Sequence, residues 1–591
     1  MRITHTMQVA LGATGVLAAL SAAAPQTAQA ATLDMPLTQT LAAQPKTGFT
    51  SVIARTSGPL TLAQQRALIA LGADITRHLS LIHSVALTVP RRNLSKLAAL
   101  PFVTHLSLDG IIRKCDEFTV GSSGAGTAYT QYGLDGTGIT VAVVDSGVVN
   151  TIVSSTGSST GSSIYDLSDR PNAPKALRLL ARMDFCTNDS SPEDLSGHGT
   201  HVAGIIAGNG VKSTGSQYFR SFYGVARNAN MVSVKVLDQN GQGSVSQVIS
   251  GLQWVVANKA AYKIRVINLS LGHPVGESYT TDPLCQAVEA AYRAGIVVVC
   301  AAGNSGRANA VNTAGAANEG WGTAYGSINS PGNDPYVITV GAAKQNILSD
   351  GSADPNRADD KIATYSGRGP SRLDLVLKPD IIAPGNKVIS VNATACLETR
   401  AGATNDIPKS GYIMPNYISG SGQAPSRTYF VLSGTSMAAP VVAGAAALLL
   451  QANPGLSPDT VKVRLMLTAD KQWADAAGNT DPCTYGAGYL NIPAALQSTA
   501  VAGQAAMSPD LITDSSGNCY INMDHAIWGT HAIWGTGLTD LHAIWGTHAI
   551  WGTNALASSH AIWGTNVWSD HAIWGTSTSA VDLTSTAVNG E

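Results

Sequence analysis

Between about residues 130 and 498, short apolar runs alternate with longer helical stretches, and that order restricts the fold more than any other feature of the chain. Ile139 to Val144, Met231 to Leu237, Ile264 to Leu269 and Ile296 to Cys300 read as strands buried on both faces. Val245 to Ala261 and Leu284 to Arg293 read as helices between them. A strand apolar on both faces needs cover on both, and helices supply it. The pattern therefore predicts an α/β fold, a doubly wound parallel sheet flanked by helices. Chemistry in such sheets sits in loops at the carboxyl ends of the strands.

The 591 residues exceed what one core usually organises, and three more segments surround this one. Residues 1–30 have the form of an export signal. Arg2 is followed by the apolar, small-residue stretch Met7 to Ala24, then by Ala28-Gln29-Ala30 in the A-x-A pattern of a cleavage site. Residues 31–118 carry strand-like Val52 to Arg55, Ser84 to Val89 and Val103 to Leu108, with helical Ala63 to Leu71 and Leu94 to Leu100 between them. That order suits a small α+β unit of ferredoxin-like type. Gly121 to Gly126 reads as an exposed linker open to cleavage. Beyond the leader, the longest apolar run, Met437 to Leu450, falls short of the roughly 20 residues that span a bilayer. It reads as a buried helix, and the exported chain is expected to be soluble, with no transmembrane span.

Residues 499–591 are a repeat-containing tail. HAIWGT begins at His525, His531, His542, His548, His560 and His571. In an extended chain Ala, Trp and Thr share one face, and His, Ile and Gly the other. Three readings stand side by side: a β-rich module that attaches to a cell-surface or carbohydrate ligand through its Trp faces, a low-complexity spacer, and a metal binder using the six histidines.

Composition narrows the partners. Net charge is −2, charged residues are 13%, and no long Lys/Arg run occurs, so nucleic acid is not an expected partner. The seven cysteines include no C-x-x-C pair, which argues against a cysteine-built zinc site. Export allows one to three disulfides, and the odd count leaves at least one thiol over; Cys300 reads as a small core residue.

Three motifs in the α/β segment carry reactive groups. Asp145-Ser146-Gly147 follows the strand Ile139 to Val144, Gly197-His198-Gly199-Thr200-His201-Val202-Ala203-Gly204 enters a helical run, and Ser433-Gly434-Thr435-Ser436-Met437-Ala438-Ala439-Pro440 enters the apolar helix. Each alone has a plain explanation: a turn, a structural histidine pair, a serine helix cap. Together they supply a hydroxyl, a base beside it, and a carboxylate to orient the base, as nucleophilic catalysis requires.

VAVVDSGV, GHGTHVAG and SGTSMAAP, in that order, resemble the three motifs of the subtilisin-like serine proteases, the subtilase family. An α/β-hydrolase would place serine first, within G-x-S-x-G. The resemblance covers about residues 130–498, ending in Gly486 to Ala495, and implies a catalytic domain at 119–498 that hydrolyses peptide bonds in proteins. Ser436 is then the nucleophile, His198 the general base and Asp145 its partner. Asn304, after Ala301-Ala302-Gly303, and the Ser436 backbone N–H form the oxyanion hole. Gly241-Gln242-Gly243 and Ser270-Leu271-Gly272 bind substrate backbone, with Ala301, Ala302 and Gly303 beside them. Tyr365 to Pro370 and Lys378 to Gly385 match structural landmarks. Residues 31–118 resemble the family's propeptide, an intramolecular inhibitor and folding template, with cleavage expected between about Lys114 and Gly126.

The resemblance implies no cofactor for catalysis and no catalytic metal. It leaves structural calcium open, although Asn209 to Gly224 departs from the family's usual calcium loop. Asn386 to Leu432 is longer than usual and could add a flap over the cleft. A protease fold that has lost activity and serves in binding or surface attachment is the contrasting expectation.

Overall fold

The computed structural model describes residues 31–34, 37–38, 47–109, 111–114, 122–149, 165–167, 178–186, 192–213, 221–345, 357–393, 412–413, 426–471, 473, 481–503, 505–513 and 519–521. The expected export signal and all six HAIWGT repeats lie outside the described residues.

The first packed unit runs β1 (Phe49–Thr56), α1 (Leu62–Ala70), β2 (Asp74–Leu79), β3 (Ser84–Pro90), α2 (Leu94–Ala98), β4 (Val103–Leu108). Its strands lie in the antiparallel order β4-β1-β3-β2, with Thr32–Leu33 parallel to β4 at the edge. This is the ferredoxin-like arrangement, with β2 and the Thr32–Leu33 edge strand added to the three strands that the sequence pattern suggested. Strand alternation divides the side chains: Val52 and Ala54 join Leu68 and Leu97 in the unit's own core. Ile53 and Ala86 face the other way and pack with the helices of the second unit. Thr61 caps α1 in a reciprocal capping box with Gln64.

Ile111–Lys114 (β5) leads to the second unit, whose main elements are β6 (Thr140–Asp145), β7 (Leu179–Asp184), α3 (His198–Ala207), β8 (Asn230–Lys235), β9 (Gln242–Ser244), α4 (Val245–Tyr262), β10 (Ile264–Leu269), β11 (Leu271–Pro274), α5 (Pro283–Arg293), β12 (Val297–Ala301), β13 (Ile338–Lys344), β14 (Ile381–Pro384) and α6 (Thr435–Ala452). Seven strands pair in parallel in the order β7-β8-β6-β10-β12-β13-β14, and Lys361–Ile362 adds antiparallel to β13. Val141 and Val143 of β6 pack toward α3 and α6, while Ala142 and Val144 pack toward α4 and α5. The sheet is thus doubly wound. From β6 the chain first builds β7 and β8 on one side, then crosses to β10 on the other. That makes the carboxyl end of β6, at Asp145, the switch point where such sheets open a crevice.

Helix α6 threads the middle of the second unit. It is long and apolar enough to cross a membrane by length and composition, but 89% of it is buried inside the protein. Its small residues allow that: a Cβ on Gly444 would stand 2.6 Å from Val225 Cβ.

Two expectations are corrected. Gly121 to Gly126 is not an exposed linker in its described part. Ser122 and Ser123 are buried, the Ser122 hydroxyl bonds Tyr489 Oη at 2.6 Å, and Ala125 begins a helix. The packed unit also continues past 498. Ser508 donates to Asp380 within the fully buried Lys378–Asp380–Lys462 cluster, and the Leu511 N–H bonds Leu375 O. As the sequence suggested, Cys300 is a fully buried core residue, and its thiol and that of Cys285 are free.

Candidate active site

Asp145 ends β6 and is fully buried. Its Oδ1 accepts the Ser146 N–H at 2.7 Å and His198 Nδ1–H at 2.6 Å. His198 is the first residue of α3, after Gly197 at φ 91°. Helix α3 packs on α6, and Ser436 lies in the first turn of α6 after Gly434 at φ 145°, a backbone angle that favours glycine. Ser436 Oγ donates to Ser270 O at 3.1 Å, and Ser270 Oγ donates back to Ser436 O at 2.7 Å. The second histidine of the motif, His201, donates Nε2–H to Phe430 O at 3.1 Å and is structural.

Asn304 follows β12 and the Ala302-Gly303 turn. Its Oδ1 accepts both the N–H and the hydroxyl of Thr435, each at 3.0 Å. With the amide oxygen fixed, the Asn304 NH2 is the group left to donate elsewhere. The Thr435 hydroxyl in turn accepts the Gly303 N–H at 3.0 Å. Gly303 has φ 99°, and a Cβ there would come within 2.9 Å of the Asn329 side chain. A Cβ on Gly272 would meet Ser330 O at 2.7 Å and Asn329 Cβ at 3.0 Å, so Asn329 occupies the space between the two glycines.

The two extended segments expected to hold substrate backbone are β9 and β11, and β5 lies between them. Gln242, Gly243 and Ser244 pair antiparallel with Arg113, Ile112 and Ile111, while Leu271 and Gly272 pair with Lys114 and Arg113. Gly241 stands apart from this ladder. It has φ 66° and turns the chain into β9, with its N–H on Asp238 O. Ala301 and Ala302 are buried behind the ladder, Ala302 bonded to Val340 O and Asn329 N.

The sequence pattern did not single out Thr435, Asn329, Ser146 or Asp194. Thr435 and Ser146 sit inside motifs already named, and their roles depend on partners more than a hundred or about fifty residues away. Among the described residues, no group of three or more His, Cys, Asp or Glu is placed to hold a metal ion.

A sequence profile described as the subtilase family matches residues 136–488. Serine protease AprX of Bacillus subtilis (strain 168) is 36% identical over 366 residues, which is 61% of this chain and 66% of AprX. Subtilisin DY of Bacillus licheniformis is 34% identical over 321 residues, 54% of this chain and 85% of that protein. Subtilisin E of Bacillus subtilis (strain 168) is 29% identical over 432 residues, 72% of this chain and 84% of its own length.

Proposed function

Because the chain belongs to the subtilase family of serine endopeptidases, we propose that it cuts protein substrates with Ser436 as nucleophile, and that it is exported as an inhibited precursor. The observation that carries this reading is β5, held antiparallel between β9 and β11. Its ladder runs toward Ser270, whose carbonyl accepts the Ser436 hydroxyl. A peptide bound through main-chain hydrogen bonds alone is how a protease accepts many sequences in one geometry.

In the reaction, His198 takes the Ser436 proton as the hydroxyl attacks the scissile carbonyl. Asp145 holds the imidazole with Nε2 toward the serine and stabilises its charged form. The oxyanion is met by the Asn304 NH2, aimed by Thr435, and by the Ser436 N–H at the start of α6, where the helix dipole adds to it. His198 then hands its proton to the leaving amine, and water releases the acyl group by the same route. The proposed chemistry needs no cofactor.

The first unit serves as inhibitor until the chain is cut between about Lys114 and Gly126. The leader at 1–30 directs export, and the tail serves in attachment rather than cleavage. The test is to express the full-length chain and Ser436→Ala, with casein and a fluorophosphonate probe. The wild type is expected to shed residues through at least Lys114, cleave casein and take the label on Ser436, while Ser436→Ala stays full length and inert. An active enzyme that still carries residues before Arg113, or casein cleavage by Ser436→Ala, would overturn it.

A further inference from the structure

Asp194 stands four residues before His198, belongs to none of the named motifs, and is fully buried. The first backbone N–H groups of any helix lack partners within it. In α3 the capping position is Gly197, which has no side chain to offer. Asp194 takes over: Oδ1 accepts the Gly197 N–H at 2.7 Å and Oδ2 the Thr200 N–H at 2.8 Å. Ser146, next to Asp145, accepts the Gly199 N–H at 2.9 Å and donates its own hydroxyl to Asp194 Oδ1 at 2.8 Å.

These bonds close a ring. From His198 it passes to Asp145, through the Ser146 backbone and hydroxyl to Asp194, and from there back to the helix that begins with His198. The two segments touch tightly enough that a Cβ on Gly199 would stand 2.1 Å from Gly147 O and 3.2 Å from Asp145 Cβ. We propose that Asp194, acting through Ser146, is a positioning residue for the general base. It locks the start of α3 against the strand end that carries Asp145, and its negative charge supports the His198 imidazolium.

The charge belongs to the argument because a helix N-terminus disfavours a cation. Every partner of Asp194 is an N–H or a hydroxyl, so the carboxylate form uses them all. Burial holds the Asp194 carboxyl above its ordinary value, against the opposing pull of the Thr200, Gly197 and Ser146 donors. The inference rests on His198 being the base.

Asp194→Asn and Ser146→Ala are made in the full-length chain, and the matured enzymes are compared across pH with a small peptide substrate. Asp194→Asn is expected to lower kcat by about tenfold to a hundredfold at constant KM, through misplacement of the base. It is also expected to move the acid limb of kcat/KM down by about half to one pH unit, because an imidazolium deprived of a nearby anion loses its proton more readily. Ser146→Ala keeps the charge, so kcat falls while the limb stays. Wild-type kcat and an unmoved limb in Asp194→Asn would overturn the inference. Activity lost only in proportion to the fraction of folded enzyme would do the same. If Asp194→Asn does not mature, the His198 Nδ1–H resonance is titrated in full-length Ser436→Ala with and without Asp194→Asn, and an identical midpoint removes the charge claim. Ser146→Ala with wild-type kcat removes the positional claim. His198→Ala is the control: if it still cleaves, the triad reading itself fails, whereas an inert His198→Ala beside an unaltered Asp194→Asn removes only the role of Asp194.

Discussion

Asn304 shows how a single amide can be given a direction. An asparagine side chain has two faces of opposite polarity, and Thr435 engages the oxygen twice, once by its backbone and once by its hydroxyl. Only the NH2 is then available to a developing negative charge. Asn304→Ala is expected to lower kcat by about a hundredfold to a thousandfold, the usual cost of one oxyanion donor, with KM nearly constant. Steady-state kinetics on a short peptide substrate check this. A rise in KM without loss of kcat would place Asn304 in substrate binding instead.

At the level of elements, the first unit is held to the second partly by a borrowed helix cap. Asp109, just past β4, accepts the Ser246 N–H at 2.9 Å and the Ser246 hydroxyl at 2.6 Å at the start of α4. Asp109→Ala removes an acceptor typically worth ~1 kcal/mol, about fivefold in docking. Full-length Asp109→Ala should therefore pass from cut precursor to free enzyme several times faster, read by gel and by the lag before casein cleavage. Four strands of the main sheet, β6, β8, β10 and β12, were legible in the sequence because strands buried on both faces are mostly apolar, as Val141 to Val144 of β6 are. β2 was not: it is an edge strand, and Asp74, Thr76 and His78 face solvent and leave little apolar pattern. Gly121 to Gly126 read as linker because its composition is that of one. The contact that orders Ser122 comes from Tyr489, 367 residues along the chain. In the same way the reactive groups of the site were visible in their motifs, while the side chains that aim them, Thr435 and Asp194, showed only once the chain had folded.

Across the whole molecule, the joint between the two units carries ionisable groups whose balance changes with pH. His105 of β4 meets Glu277 of the second unit, and Asp34 lies close to both. Burial, then the charge of Glu277, raises the Asp34 carboxyl to about 7. The part of that rise owed to Glu277 exists only in the docked state, so it favours docking most where Asp34 is protonated, and that advantage fades as pH climbs from the ordinary carboxylate range toward 7. The cut but undissociated complex should therefore hold at pH 5 and release its first unit more readily at pH 8. Asp34→Asn should flatten that dependence. Size-exclusion chromatography of the cut complex at the two pH values checks both; equal retention of the first unit at pH 5 and pH 8 would count against it.

β5 follows the first unit in the chain but takes its hydrogen bonds from the second. While the backbone is continuous, that strand faces its groove at the high local concentration of a short tether, on the order of millimolar, whatever the volume around it. One broken peptide bond turns the same contacts into an encounter between two molecules, and how long the groove stays filled then depends on how many such molecules share the space. On the proposed processing, a concentrated solution of the cut chain stays quiet and a dilute one wakes, so the scissile bond decides whether silence belongs to each molecule or to the population.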